Sequence, residues 1–97
     1  MKTRIIQTRF WSDGYVSRLK PEGKLVFLYY LTNERVNIIH CYECPDSYVL
    51  NETGVSKAAL RGLKATFERD GKILFYKDYV RLINAGKYET YSGNNES

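Results

Sequence analysis

The sequence predicts an α+β fold, and three features carry that prediction. One well-marked amphipathic helix covers residues 56–70. After it, two short apolar segments, Lys-Ile-Leu-Phe-Tyr and Tyr-Val-Arg-Leu-Ile, flank Lys77-Asp78 as the arms of a β-hairpin do. Ahead of it, the run Leu-Val-Phe-Leu-Tyr-Tyr-Leu at 25–31 and the β-branched stretch at 37–43 supply a central helix and a strand.

The 97 residues make one domain, assigned to 1–90, with a polar tail at 91–97. A chain of this size buries somewhat over ~60% of its unfolded surface, enough for one modest core. Hydrophobic residues make up 43% and charged residues 27%, ordinary values for a globular protein. No apolar run is long enough to span a bilayer, and Met-Lys-Thr-Arg-Ile-Ile-Gln-Thr-Arg lacks the apolar core of a signal peptide. An intracellular, cytoplasmic protein without a membrane partner is therefore expected. The net charge of +4 is unevenly spread. Residues 1–35 carry +4, 36–54 carry −3, 55–87 carry +5 and 88–97 carry −2. A polyanion partner suits the two basic segments.

Taken in order, residues 4–11 read as a short strand or extended arm ending in Phe10 and Trp11. Ser12 or Asp13 is placed to cap a short helix toward Leu19, with Phe10, Trp11, Tyr15 and Leu19 buried or facing a partner. Trp11 is expected as a core anchor; the alternative is an arm packed on another subunit. Pro21 suits the first position of the next helix, with Glu22 near its positive end, although Lys20 is a poor cap. Residues 25–31 are apolar nearly all round, as in a helix packed on several sides, and a polar turn at 32–35 ends it. Residues 37–43 read as a strand. Pro45 stops it and opens a helix over 46–52.

Ser56 is a good N-cap for the main helix, and Val55 with Leu60 has the spacing of a hydrophobic staple. Ala59, Leu60, Leu63 and Phe67 form its apolar stripe, and Gly71 can take the left-handed conformation that ends a helix. Lys57, Arg61, Lys64 and Glu68 fall on another face. A turn with Gly54 joins this helix to the one before it, as in a helix-turn-helix. In the hairpin, a two-residue turn places Phe75 opposite Val80 and Ile73 opposite Leu82. Lys-Asp is not a favoured turn pair, so a loop one or two residues longer is also open. Leu74, Tyr76, Tyr79, Arg81 and Ile83 then share the outer face. From Tyr88 the chain turns polar and rich in Gly and Asn, like a linker leading into a longer protein. Helix, strand, helix, helix, strand, strand behind an N-terminal arm is the order of a winged helix, in which the hairpin loop is the wing. Leu28, Leu60, Leu63, Phe67, Phe75 and Val80 are its expected core.

Several short motifs recur in a fixed order: Phe10-Trp11-Ser-Asp13, Leu19-Lys-Pro21-Glu22, Leu31-Thr-Asn33, Tyr42-Glu43, Thr53-Gly54-Val-Ser56, Val80-Arg-Leu-Ile-Asn84, Lys87-Tyr88 and Tyr91-Ser-Gly93-Asn94. In that order and spacing the chain resembles the N-terminal winged-helix domain of phage replication proteins and DnaD-type replisome organisers. It departs at Lys20, where a capping Ser or Thr is usual, and at Cys41 and Cys44. The resemblance implies a non-enzymatic role in starting phage DNA replication. It also implies binding to origin or single-stranded DNA, self-association, and contact with the replicative helicase or its loader. In such proteins a further C-terminal domain often carries much of the DNA binding.

The candidate DNA-binding residues are Ser56, Lys57, Arg61 and Lys64 on the main helix, Lys72 before the hairpin and Lys77 at its tip. Phe10, Trp11, Leu74, Tyr76 and Tyr79 are the candidate oligomer or partner surface. Cys41 and Cys44 have Cys-x-x-Cys spacing beside His40, but a structural zinc site needs four ligands and no second pair exists. No metal, cofactor or catalytic constellation is expected. The chain thus reads as a DNA-binding module of a replication initiation protein. The alternatives are a self-association or docking module of the same machinery, or a small helix-turn-helix transcription regulator.

Overall fold

A computed structural model describes residues 3–91. Three α-helices pack against a three-stranded antiparallel sheet, and a second, two-stranded sheet joins the two ends of the described chain. The protein is an α+β fold.

The first strand, β1 (Arg4–Ile6), is not a free arm. It pairs antiparallel with the last strand, β5 (Glu89–Tyr91), Arg4 opposite Tyr91 and Ile6 opposite Glu89. Phe10, expected to be buried or to face a partner, is fully buried, whereas Trp11, expected as a core anchor, is 58% exposed. One local event decides between the two rings and corrects the core placement of Trp11. The chain turns into a 3₁₀ helix at Thr8–Ser12, which sends the two neighbouring rings in opposite directions. Phe10 stacks against Phe27 at 6.3 Å and meets Tyr88 edge-on at 5.9 Å. Asp13 does act as a cap, but of a turn: Oδ2 accepts from the amides of Tyr15 and Val16. A second 3₁₀ turn, Val16–Arg18, replaces the expected short helix.

Helix α1 (Pro21–Thr32) starts with Pro21 in its first turn and no side-chain cap from Lys20. Val26, Phe27, Tyr30 and Leu31 are buried, and Gly23 lets Leu19 and Leu63 close over its backbone, each 3.3 Å from where a Cβ would stand. The helix is central but not enclosed, since Leu25 remains exposed and Leu28 is half-buried. Asn33 ends it, buried, donating from Nδ2 to the Tyr29 carbonyl and to the Tyr42 hydroxyl.

The expected strand at 37–43 is only half present. Strand β2 (Cys41–Glu43) forms, but residues 37–40 make a turn, with His40 at φ 57°. The Asn37 side chain accounts for this: its Oδ1 accepts from the Cys41 amide and its Nδ2 donates to the Cys41 carbonyl. A local side-chain bond of this kind displaces the strand ladder that Ile38 and Ile39 favour by propensity.

Helix α2 (Asp46–Thr53) follows Pro45 and stops at Gly54, which is left-handed at φ 80°. Helix α3 (Lys57–Arg69) is capped by Ser56, whose Oγ accepts from the Ala59 amide at 3.1 Å. Its other end is a Schellman motif: the Lys72 amide bonds to the Phe67 carbonyl and the Gly71 amide to the Glu68 carbonyl, with Gly71 at φ 70°. Leu60 and Phe67 are buried; Leu63 is half-buried.

Strands β3 (Ile73–Tyr76) and β4 (Tyr79–Leu82) form the hairpin in the expected register, Ile73 opposite Leu82 and Phe75 opposite Val80. The loop keeps two residues: Lys77 takes φ 54°, a left-handed strain that Lys accepts here in place of the usual Gly or Asn. Val80 is buried and Phe75 half-buried. β4 is central, pairing with β2 on its other side in the order β2-β4-β3. Tyr88, expected to open a linker, is instead a core residue 2% exposed, and residues 92–97 of the expected tail lie outside the described chain. Phe10, Phe27, Phe67 and Tyr88 thus make one aromatic cluster, with Phe27 within 5.4 Å of both Phe67 and Tyr88.

Candidate nucleic-acid interface

The amphipathic pattern of α3 decides its outer surface. With Leu60 and Phe67 turned inward, Lys57, Ala58, Arg61, Gly62 and Ala65 are exposed. Lys57 and Arg61 have no ion pair or hydrogen bond from their side chains among the described residues, so both cations face solvent from the first half of the helix. Between them, Ala58, Gly62 and Ala65 present almost no side-chain bulk, and a Cβ built on Gly62 would meet nothing within 4 Å. A helix face with cations beside a low strip lets a flat or convex polyanion approach the backbone closely. The small residues were not among the sequence-derived candidates; their i, i+4, i+7 spacing opposite the apolar stripe is the signal that finds them.

The other candidates are placed differently. Ser56 is exposed, but its hydroxyl is committed to the Ala59 amide as a cap. Lys64 lies on the same helix, yet it turns toward the start of α2, where Nζ is 2.7 Å from Asp46 Oδ1 and 4.8 Å from the Phe75 ring centroid. Its side chain is only 22% exposed. Lys72 sits beyond the C-terminal end of α3, over the Tyr15 ring at 4.7 Å. Tyr15 in turn donates its hydroxyl to Asp70 at 2.8 Å; burial and that carboxylate both push the phenol well above its ordinary range. A hollow of about 440 Å³ lined by Tyr15, Arg18, Leu19, Asp70 and Lys72 opens there, at the end of α3 away from Lys57. Lys77 is exposed at the hairpin tip, 5.5 Å from the Tyr76 ring centroid. The tip is tied down: the Asp78 carbonyl accepts from the Cys44 amide at 2.7 Å.

The outer face of the hairpin carries Leu74, Tyr76 and Tyr79, all exposed, with Tyr76 at 70%. Trp11, another candidate for a partner surface, is also exposed, while Phe10 is inside the core and is withdrawn from that surface. Cys41 is exposed on the outer face of the sheet and Cys44 is buried. Burial pushes the Cys44 thiol above its ordinary range, against the opposing pull of the Tyr29 hydroxyl. Among the described residues no three His, Cys, Asp or Glu side chains gather as metal ligands, and no helix is long and apolar enough to cross a membrane.

No protein-family model, no characterised protein and no solved structure matches this chain.

Proposed function

We propose that this chain is the DNA-binding winged-helix module of a phage-type replication initiation protein, a replisome organiser of the DnaD kind. The reading is supported by the order of the elements and by the strand order β2-β4-β3; in it α3 is the helix that meets DNA and the β3–β4 loop is a minimal wing. The observation that carries the DNA contact is the pair Lys57 and Arg61, exposed and unpaired on the first half of α3, where a recognition helix meets base edges and phosphates. Lys77 extends the same basic character to the hairpin tip. Replication, rather than transcription, is favoured by the ordered motifs from Phe10 to Asn94, and the helicase or its loader is the protein partner they imply.

The test is fluorescence anisotropy on duplex DNA across a salt series. Contacts from Lys57, Arg61 and Lys77 give log affinity a slope against log salt of about −3, at about −0.9 per contact. Arg61→Ala relaxes sequence preference if Arg61 reads guanine, a pairing worth ~1–3 kcal/mol. Lys77→Ala weakens binding evenly and flattens the slope by about one unit. A folded Lys57→Ala/Arg61→Ala variant that binds duplex as well as wild type sinks the proposal.

A further inference from the structure

The segments that meet beyond the C-terminal end of α3 are each held by their backbones. In the 3₁₀ turn Val16–Arg18 the amides of Arg18 and Leu19 donate to the carbonyls of Tyr15 and Val16. The Schellman motif fixes residues 70–72, and the Lys72 carbonyl also accepts from the Ile83 amide. Leu19 rests on α1 where Gly23 has no side chain. Tyr15 is anchored at both ends, its ring edge-on to Phe27 at 5.9 Å and its hydroxyl on Asp70. The open hollow of about 440 Å³ between these segments is therefore preformed. Leu19 and the Tyr15 ring, both half-buried, give it an apolar surface, and Arg18, Lys72 and Asp70 give it charge.

That charge is unbalanced. Neither Arg18 nor Lys72 has a carboxylate within ion-pair distance among the described residues; Lys72 stands over the Tyr15 ring instead. The carboxylate of Asp70 is already engaged. Its Oδ2 accepts from the Tyr15 hydroxyl at 2.8 Å and its Oδ1 from Arg69 Nε at 3.2 Å. These two partners hold it below its ordinary value of 3.8, so it stays ionised near neutrality. Each of its oxygens still has a second acceptor position. Two uncommitted cations, a hydrogen-bond acceptor and an apolar surface thus converge on one small space.

We infer that this hollow docks an acidic peptide segment of a protein partner, one with an apolar side chain among its carboxylates. Charge complementarity selects the sign of the occupant. Arg18 and Lys72 pair with carboxylates, the apolar side chain covers Leu19 and Tyr15, and Asp70 accepts from a peptide N–H. The last contact separates a peptide from a nucleic-acid strand. A sugar-phosphate backbone has no N–H to give, and its phosphates meet Asp70 as like charges. A free nucleotide is less favoured, because small-ligand sites bury ~70–90% of their ligand and an open hollow does not. A peptide continues past the hollow and gains contacts on either side. The 13 residues of α3, about 20 Å at 1.5 Å per residue, separate this place from Lys57. Docking here is distinct from the duplex contact at the front of α3 and does not depend on it.

Fluorescence anisotropy on the full chain tests this with a labelled peptide, six Asp or Glu residues around a central Leu-Phe pair. Wild type binds it saturably, with a Kd below about 1 mM. Arg18→Glu, at an exposed side chain with no partner to lose, weakens binding about tenfold or more, and Arg18→Glu/Lys72→Glu abolishes it. Both variants keep the far-UV spectrum of wild type. Lys57→Ala/Arg61→Ala binds the peptide as wild type does while losing duplex, so this docking and the duplex contact fail separately. A peptide with Ser in place of Leu and Phe binds several-fold more weakly, because the apolar contact is gone. In nitrogen–proton correlation spectra, the amides that shift on peptide addition gather at residues 15–19 and 69–72. Four results overturn the proposal: no saturation up to about 1 mM, full binding by folded Arg18→Glu, equal binding of the serine peptide, or shifts gathered elsewhere. If oligo-dT or inorganic phosphate displaces the peptide and moves the same amides, the hollow is a phosphate site and the peptide assignment is wrong.

Discussion

Asp13 Oδ2 accepts a hydrogen bond from the Tyr88 hydroxyl at 3.2 Å, across 75 residues of chain. Its other oxygen is 3.2 Å from Lys87 Nζ, and the side chain is only 10% exposed. Burial pushes the carboxyl up, but the amides of Val16 and Tyr15, with Lys87 and Tyr88, outweigh it and hold Asp13 below its ordinary value of 3.8. Burial and the same carboxylate push the Tyr88 phenol up to about 12. A carboxyl depressed in the folded state stabilises it fully above the unfolded value and stops doing so as pH falls through the folded one. The stability difference between wild type and Asp13→Asn is therefore constant near neutrality and shrinks on acidification below about pH 4. Urea titrations of both proteins at a series of pH values check this. A difference that grows on acidification contradicts it.

Both ends of α3 are set by single residues. Ser56→Ala removes the cap on the Ala59 amide and lowers stability by ~1 kcal/mol. Gly71→Ala places a Cβ at φ 70° and costs about as much, through left-handed strain rather than a lost bond. Thermal melts read both, and Gly62→Ala serves as the control: that position is open, so the substitution is stabilising by ~0.5–1 kcal/mol.

Tyr30 and Tyr42 respond oppositely to loss of a hydroxyl. The Tyr42 hydroxyl donates to the Tyr30 carbonyl at 2.7 Å and accepts from Asn33 at 2.8 Å. Tyr42→Phe strands both partners and costs ~1–3 kcal/mol. The Tyr30 hydroxyl is buried and finds no hydrogen-bond partner among the described residues. Tyr30→Phe therefore leaves stability unchanged or raises it, and a chemical denaturation midpoint below that of wild type speaks against the assignment.

The two thiols differ in access and in ionisation. Cys41 is exposed, while Cys44 is buried with its thiol pushed up by desolvation. A disulfide reagent such as dithionitrobenzoate titrates one thiol quickly in the native protein and a second only after denaturation. Cys41→Ser removes the fast phase and Cys44→Ser leaves it. Fast labelling of both thiols in the native protein rules out this placement of Cys44.

Lys64 is held from the front of α3 by Asp46 at 2.7 Å. With both partners partly exposed, the pair adds ~0–1 kcal/mol to stability. Asp46→Asn therefore costs little in a thermal melt. On the proposed duplex surface it frees one more cation, raises affinity at low salt and steepens the salt slope by about 0.9. An unchanged slope means that Lys64 stays away from the duplex even when released.

Signals confined to a few neighbouring residues were legible in the sequence. Ser56, the stripe through Leu60 and Phe67, and Gly71 sufficed for α3. Alternation about Lys77-Asp78 sufficed for the hairpin register. What failed depended on partners distant in the chain or on competing local bonds. β1 and β5 are three residues each and more than eighty apart, too short and too remote for pattern to join. Ile38 and Ile39 favour a strand, but the Asn37 amide satisfies Cys41 and turns the chain first. Trp11 read as a core anchor because its bulk is normally buried, yet a 3₁₀ turn gives the inward position to Phe10. At the candidate site, Lys57 and Arg61 follow from helical spacing alone. Lys64 looks equivalent until Asp46, eighteen residues earlier, is placed beside it.

The pairing of β1 with β5 bears on mechanics and on the order of assembly. Arg4 and Tyr91 sit together at the outer end of that ribbon. Tension applied through the two chain ends therefore loads its hydrogen bonds one pair at a time, as a zipper, rather than all at once in shear. Such a ribbon peels at low force, so the ends separate while the Phe27 cluster still holds. The same ribbon closes the longest loop in the molecule, which makes it a late step in folding and an early one in local opening. Amides of residues 4–6 then exchange with deuterium well before those of α3.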